Sequence, residues 1–257
     1  MKIALIAKNA FKESVRDRIL YNLVLFGILM IACSLLLGAI TIGNVKQIII
    51  NLGLSTLSIF GTLIAIIIGT QLVYKEIDKK TIYSLLAKPV ARYEFIIGKF
   101  LGLALTLAIN VSVMVVGIYL TILYLNRTFQ PGDINILGAS LVIYVELLLV
   151  VSIALCFSTF STPALAAFFT FLLYIMGHFN ADLLLYARTQ QNVLLKWIFE
   201  ASYYLLPNFG NFAIISRTAH GFSIAGDILL FILFYGVAYS SGLLLLALLI
   251  FHFRNFK

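Results

Sequence analysis

YKEIDKKTIYSLLAKPVARYEFIIGK, residues 74–99, is a densely charged stretch between two long apolar runs. It contains six of the eighteen Lys and Arg residues of the 257-residue chain and three of its ten acidic residues. Apolar residues such as Ile77, Ile82 and Leu85 alternate in it with charged ones, which predicts an amphipathic helix that Pro89 ends or kinks. The length and composition of the apolar runs on either side indicate the class of protein to which this helix belongs.

The overall composition indicates a membrane protein. Hydrophobic residues make up 62% of the chain and charged residues 11%, and the mean hydropathy is +1.08. Soluble domains have about 25% charged residues, so a water-soluble fold could not hide this much apolar surface. The net charge of +8 lies at the ends of apolar runs and is explained better by membrane topology than by nucleic-acid binding. Cys33 and Cys156 lie inside such runs and indicate neither a disulfide nor a metal site.

Six apolar runs are predicted to cross the membrane. Residues 19–42 contain no charge and are long enough to span about 30 Å of hydrocarbon. The runs cover residues 19–42, 48–74, 100–125, 134–157, 164–179 and 228–253. In the second run Gly53, Gly61 and Gly69 share roughly one helix face. They indicate either close helix packing or the ordinary tolerance of membrane helices for glycine.

The N-terminal segment, residues 1–18, is predicted to be an interfacial helix. Apolar residues, Phe11 among them, recur at helical spacing, and Lys8, Lys12 and Arg16 fall on another face. The alternative is a solvated basic tail. The segment is too charged for a cleavable signal peptide.

The segment of residues 180–227 is too long for a simple turn and is largely apolar. Trp197, Tyr203 and Tyr204 suit a membrane interface, and the sequence PNFGN at residues 207–211 divides the segment in two. We expect two short helices that dip into or lie on the outer leaflet. A folded cap over the bundle is the alternative.

The distribution of positive charge predicts the topology. Six spans place both termini on one side, and that side, which includes residues 75–99, has thirteen of the eighteen Lys and Arg residues. The termini and the charged stretch are therefore predicted to be cytoplasmic, and residues 180–227 extracytoplasmic.

Ionisable residues are scarce inside the predicted spans. Glu146 lies within the fourth, where a carboxyl group is costly unless it is paired, hydrated or protonated. It either faces a cavity or subunit interface and influences transport, or only fixes helix packing, and the geometry of a helix excludes Tyr144 as its partner. His178, His220 and His252 lie at membrane boundaries and are interpreted as interfacial residues. The chain contains no Gly-x-x-x-x-Gly-Lys-Ser/Thr phosphate loop.

The charged stretch resembles the loop between the second and third spans of the permeases of ABC-2-type transporters. In that family an acidic residue and a threonine precede Leu-Leu, a Pro-Val-x-Arg turn and a Gly-Lys at the next span. Lys80 departs from the family, which often has glycine there. The matching residues are Glu76, Thr81, Leu85, Leu86, Pro89, Val90, Arg92, Gly98 and Lys99. The chain is also similar in size to permeases encoded separately, such as the membrane subunit of the nitrous-oxide-reductase maturation transporter.

The resemblance implies a fold. It is an all-α integral membrane protein of the ABC-2 or type V exporter class, with one transmembrane domain over residues 1–257. An amphipathic elbow helix (residues 1–18) precedes six transmembrane helices. A coupling helix lies in the cytoplasmic loop of residues 75–99 between the second and third spans, and short outer helices lie between the fifth and sixth.

The resemblance also implies a function. The chain would be the permease subunit of an ATP-driven exporter in the bacterial inner membrane, with no ATPase site of its own and no metal site. It would pair with a second permease chain as a homodimer. A separate ABC ATPase subunit would bind ATP and Mg²⁺ and dock on the loop. The residues assigned to ATPase coupling are Glu76, Thr81, Ile82, Leu85, Leu86, Pro89, Arg92 and Lys99.

Two other classes stay open. A secondary transporter would show an internal repeat with paired broken helices, and no clear repeat is present. A non-transport membrane assembly factor or a membrane enzyme would need several converging polar groups, and Glu146 is the ionisable residue found inside a predicted span. A structural alternative for residues 75–99 is a loop that anchors the spans to anionic lipid.

Overall fold

The computed structural model describes residues 2–40, 44–78, 91–127, 130–190 and 192–253, and the regular structure in these ranges is helical. Two short 3-10 turns, Pro131–Asp133 and Phe209–Phe212, accompany the α-helices. The helices are α1 (Lys2–Val15), α2 (Arg18–Ile40), α3 (Val45–Asp78), α4 (Arg92–Asn126), α5 (Ile134–Ser158), α6 (Pro163–His178), α7 (Asn180–Thr189), α8 (Val193–Leu205), α9 (Ile215–Ala219) and α10 (Gly226–Phe253).

Five described helices, α2, α3, α4, α5 and α10, are long and apolar enough to cross a membrane. Helix α6 has 16 residues, which at ~1.5 Å per residue is about 24 Å and less than the ~30 Å hydrocarbon core. After His178 the chain bends by 65° into the segment Asp182–Thr189. The predicted total of six spans is therefore reached when this bent pair counts as one span.

Helix α5 forms the centre of the bundle. Of its 25 residues, 17 are buried, and it packs against α3, α4, α6 and α10. A helix that is hydrophobic all round is expected to be surrounded by other helices in this way. In α10, by contrast, only a narrow stripe of residues is buried, and large side chains such as Leu230, Phe234 and Leu249 are exposed. This pattern is typical of a helix that faces lipid.

The glycines of α3 sit at close helix contacts. A Cβ atom at Gly53 would lie 2.8 Å from Ile118 Cγ1 of α4, and one at Gly61 would lie 2.6 Å from Leu147 Cδ1 of α5. Carbon atoms normally approach to about 3.5–4.0 Å. The close-packing alternative is confirmed at both positions, although the glycines serve two partner helices rather than one.

The segment of residues 180–227 has two structurally different parts. Helix α8 packs against α7 but has no buried residue, and Trp197 and Tyr204 are 69% and 79% exposed. In the second part Phe209 and Phe212 belong to the hydrophobic core. The predicted short helices are confirmed. The leaflet alternative suits the apolar surface of α8, and the cap alternative suits the second part.

Candidate coupling junction and buried polar cluster

Both described ends of the charged stretch belong to the neighbouring spans. Helix α3 continues to Asp78, and α4 begins at Arg92, eight residues before the predicted third span at residue 100. The backbone N–H of Ala91 donates to Glu94 Oε2 at 2.9 Å, which satisfies one of the free donors at the start of α4. The predicted link of residues 89–99 into the third span is therefore mostly part of that span.

Some of the predicted coupling residues lie outside the described residues. Glu76 is in the last turn of α3, of which the structure describes the backbone. The predicted coupling residues outside the described ranges are Thr81, Ile82, Leu85, Leu86 and Pro89, and Val90 of the family motif lies outside them as well. Arg92 and Lys99 are described, and both contact neighbouring helices.

Arg92 connects the start of α4 to the end of α10. Its Nη1 donates to the carbonyl oxygens of Phe251 at 2.9 Å and His252 at 2.6 Å. These carbonyls belong to the last described turn of α10, where the helix dipole favours a positive charge. One turn further along α4, the rings of Phe95 and Phe251 stack with their centroids 5.7 Å apart.

Lys99 connects α4 to the elbow helix α1. Its Nζ lies 3.3 Å from Glu13 Oε2 and 5.7 Å from the centroid of the Phe95 ring. The Lys99 side chain is 3% exposed, whereas that of Glu13 is 39% exposed. Lys99 thus contacts the elbow helix, and its role in ATPase coupling stays a prediction.

Two glycines let α1 lie directly on α4. A Cβ atom at Gly98 would lie 2.7 Å from Ile6 Cβ, and one at Gly102 would lie 2.5 Å from Ala10 Cβ and 2.7 Å from the Ala7 carbonyl oxygen. We call this contact of Gly98 and Gly102 with α1 the elbow notch. It gives the Gly98-Lys99 pair of the family motif a structural role, since the glycine admits α1 and the lysine pairs with it.

The outward face of α1 has the predicted basic side chains. Lys8 and Lys12, together with Arg16 directly after the helix, are exposed, whereas Ala10 is buried against α4 and Phe11 is half-buried. The amphipathic helix is thus confirmed over Lys2–Val15. The next helix, α2, begins at Arg18. The carboxylate of Asp17, directly before it, accepts a hydrogen bond from the backbone N–H of Ile19 at 3.0 Å.

A second group of polar contacts lies at the opposite end of the bundle. Lys46 Nζ lies 2.6 Å from Asp133 Oδ1 and 2.7 Å from Gln130 Oε1, and Gln47 Nε2 lies 2.7 Å from His220 Nε2. These side chains line an open cavity of about 680 Å³. These contacts connect the start of α3 to the turn between α4 and α5 and to the residue that follows α9. Polar side-chain contacts therefore connect helices at both ends of the bundle.

Glu146 lies at the middle of α5 with polar neighbours from other helices. Its carboxyl is 3% exposed and interacts with the Tyr174 hydroxyl of α6, and its Oε1 lies 3.7 Å from His178 Nε2. Ser58 and Thr62 of α3 adjoin the same hydroxyl. We call these five residues the buried polar cluster.

The partners of Glu146 could not be identified from sequence. Tyr144 points elsewhere, as predicted, and donates to the Ala104 carbonyl of α4 at 3.1 Å. Tyr174 and His178 were not recognised, because they belong to another helix and no motif connects them with α5. The sequence offers one signal, which is that a buried carboxyl is costly and needs a partner. The interpretation of His178 as an interfacial residue does not account for its contact with Glu146.

The structure defines the class of the protein as an all-α, multi-pass membrane protein with an elbow helix packed on its third span. The family model described as ABC-2 family transporter protein matches residues 4–250. The chain therefore belongs to this family and is a membrane permease subunit of an ABC transporter. No curated protein matches the chain, and the similarity to the nitrous-oxide-reductase maturation transporter stays a prediction.

Proposed function

We propose that this permease subunit receives the energy of ATP hydrolysis at residues 76–88 and uses it to export a substrate. The observation that supports the proposal is the arrangement at the end of the loop. Arg92 and Lys99 tie the beginning of α4 to α10 and to α1, respectively. A force on the loop would therefore act on three helices together.

The proposed mechanism is a rigid-body transmission. An ATPase subunit that closes around ATP pushes the loop, and α4 moves as a unit with its partners because packed helices shift as bodies. The Phe95–Phe251 stack and the elbow notch resist separation of α4 from α10 and α1. The displacement would then reach α5, which packs against α3, α4 and α10 at the centre of the bundle.

In this proposal ATP and Mg²⁺ belong to the partner subunit. The permease sequence contains no phosphate loop, whereas the ATPase domains of ABC transporters bind nucleotide through such a loop. The permease contributes the docking helix, with Ile82, Leu85 and Leu86 as apolar anchors and Glu76 as part of the charged surround. Thr81 lies within this segment, and Pro89 directly follows it.

The proposed orientation places α1 and both termini in the cytoplasm of a bacterium, with the protein in the inner membrane. The structure brings α1, the start of α4 and the end of α10 to one end of the bundle, while Lys46 and His220 lie at the other. The excess of Lys and Arg on the first side supports its assignment to the cytoplasm.

We propose that the active permease is a homodimer. Within one chain, α6 buries Ala166, Thr170 and Gly177, and large side chains such as Phe168 and Phe171 are exposed. A second copy would cover part of this surface. Two differently tagged copies should co-purify from mixed expression in mild detergent, and their separation would contradict the dimer.

The docking proposal is tested by two Leu-Leu substitutions of the same chemistry. Leu85→Asp with Leu86→Asp should abolish co-purification of the co-expressed ABC ATPase. Leu194→Asp with Leu195→Asp, in the exposed α8, should leave it unchanged. The permease level in the membrane serves as the control for folding. If the ATPase is retained by the first variant, the docking role is wrong.

A further inference from the structure

The geometry of the buried polar cluster points to a proton shared by two side chains. His178 Nδ1 lies 3.0 Å from the carbonyl oxygen of Tyr174. A carbonyl oxygen can only accept a hydrogen bond, so Nδ1 bears the hydrogen and Nε2 of a neutral ring presents its lone pair. Glu146 Oε1 lies 3.7 Å from this Nε2 atom.

Two acceptors facing each other repel unless a proton lies between them. Glu146 Oε1 is buried and has no hydrogen-bond partner among the described residues, so no other donor compensates it. A carboxylate opposite a neutral imidazole would leave two lone pairs in contact in a poorly hydrated site, which is costly. One bound proton, on either atom, converts the repulsion into attraction.

His178 also connects the carboxyl to the surface of the protein. Its side chain is 36% exposed and stands at the end of α6, where the chain bends by 65°. Its ring stacks on Phe209, with the centroids 5.5 Å apart and the planes within 3°. The stacking holds the imidazole between the buried carboxyl and the outer segment, so a shift of about 1 Å brings Nε2 to hydrogen-bonding distance of Oε1.

Other ionisable groups on α5 and on the elements around it have partners of their own. Asp133 pairs with Lys46, Tyr119 donates to the carbonyl of Asp133, and Tyr144 donates to that of Ala104. Tyr235 accepts from the N–H of Asn208, and Tyr239 donates to the carbonyl of Leu205. On the described part of α3 the cluster meets the hydroxyls of Ser58 and Thr62. Tyr174 is thus the further ionisable group that faces Glu146.

We propose that Glu146 and His178 form a single-proton binding site that exchanges with the extracytoplasmic side through the imidazole. On release, the bond from the proton to Oε1 or Nε2 breaks and water on the outer side takes up the proton, without an oxidant or reductant. The carboxylate and the imidazole then repel each other, which loosens α6 and its bend against α5. The permease would in this way sense external pH, or move a proton during transport.

The proton site is tested on the purified permease alone, so its failure is separate from failure of ATPase docking. The melting temperature is measured in lipid nanodiscs from about pH 6 to about pH 8, the range around the ordinary pKa of histidine. An unfolded chain releases its histidine proton in this range, whereas the folded pair keeps one. Stability should therefore fall as pH rises.

Three variants decide the outcome. Glu146→Gln removes the carboxyl that holds the proton and should flatten the pH dependence. His178→Gln leaves a buried carboxyl that must keep a proton of its own, while its unfolded chain lacks the histidine proton, so stability should already fall steeply near pH 6, where the wild type is still nearly flat. His220→Gln, at the outer contact with Gln47, removes a histidine outside the pair and should keep the wild-type dependence. If the Glu146→Gln variant does not fold, the His178→Gln variant is used for the test, because the His178 side chain is partly exposed. Wild-type pH dependence in His178→Gln, or a melting temperature set by Na⁺ instead of pH, overturns the proposal.

Discussion

Substitution of Gly102 by alanine probes the elbow notch directly. The added Cβ would lie 2.5 Å from Ala10 Cβ, 2.7 Å from the Ala7 carbonyl oxygen and 3.1 Å from the Phe11 nitrogen. Ordinary carbon–carbon contacts begin near 3.5 Å, so α1 must lift by about 1 Å. Because two of the three atoms are backbone, no side-chain rotation relieves the clash. Overpacking of this kind costs about 1–3 kcal/mol.

The matched control is Gly117→Ala in the same helix. A Cβ there would lie 3.9 Å from Ile31 Cδ1, which is ordinary contact distance. The substitution should therefore be neutral, or stabilising by up to about 0.5–1 kcal/mol through helix propensity. The assay is the unfolding free energy of the permease in mixed micelles. Equal stability of the Gly102→Ala and Gly117→Ala variants would refute the close approach of α1 to α4.

A compensating change sharpens the same test. Ala10→Gly removes the nearest clashing atom but leaves the Ala7 carbonyl 2.7 Å from the new Cβ. Since Ala10→Gly also carries the cost of a glycine within a helix, the double variant should be less destabilised than the sum of the two single variants. Full additivity of the two single effects would contradict the geometry, since residues in contact are expected to couple.

Three further substitutions test other contacts by the same unfolding assay. Glu13→Gln should cost about 1 kcal/mol, because it removes the carboxylate that lies 3.3 Å from the buried Lys99 ammonium, whereas Lys99→Met should cost less, since Glu13 is 39% exposed and can be hydrated. The reverse order would contradict this burial asymmetry. Arg92→Gln should destabilise the permease by about 1–3 kcal/mol, since charge-assisted hydrogen bonds to the last carbonyls of α10 are lost, and an unchanged stability would show that α10 is held by other contacts. Gly61→Ala should cost about 1 kcal/mol or less, because its new Cβ meets the flexible end of Leu147 rather than backbone, and a cost above that of Gly102→Ala would be inconsistent with the geometry.

The long apolar runs predict most of the fold because lipid imposes one simple rule on spanning segments. The predicted run at residues 134–157 corresponds to α5, Ile134–Ser158, and the run at residues 228–253 to α10, Gly226–Phe253. Backbone polar groups must be satisfied within the segment, so an apolar run of sufficient length is a helix.

The start of α4 is a case in which that rule fails. Arg92, Glu94 and Lys99 made residues 92–99 look like a loop, yet each of these side chains has a partner within the protein. Hydropathy counts their charges as solvent-facing and does not detect that a helix end, a backbone N–H and the elbow helix neutralise them. The buried polar cluster was missed for a related reason, since its members come from three helices.

The bend after α6 could also not be predicted from amino-acid composition. Residues 164–179 are apolar enough for a span, but Gly177 lies against Phe209 and the Pro207 carbonyl. This packing directs the outer segment back onto the end of α6. Length and hydropathy alone cannot distinguish a straight span from a bent pair, whereas the tertiary contact of Gly177 can.

The central claim is that the ATPase subunit docks on residues 76–88 at the cytoplasmic side. It is tested most directly by a photo-crosslinking amino acid placed at Ile82 and, in a separate variant, at Trp197 of the exposed α8. The permease is expressed in cells together with the ABC ATPase, and crosslinked products are identified by mass spectrometry. The proposal predicts an ATPase crosslink from position 82 and none from position 197. A crosslink from position 197, or none from position 82 while the two proteins co-purify, would contradict it.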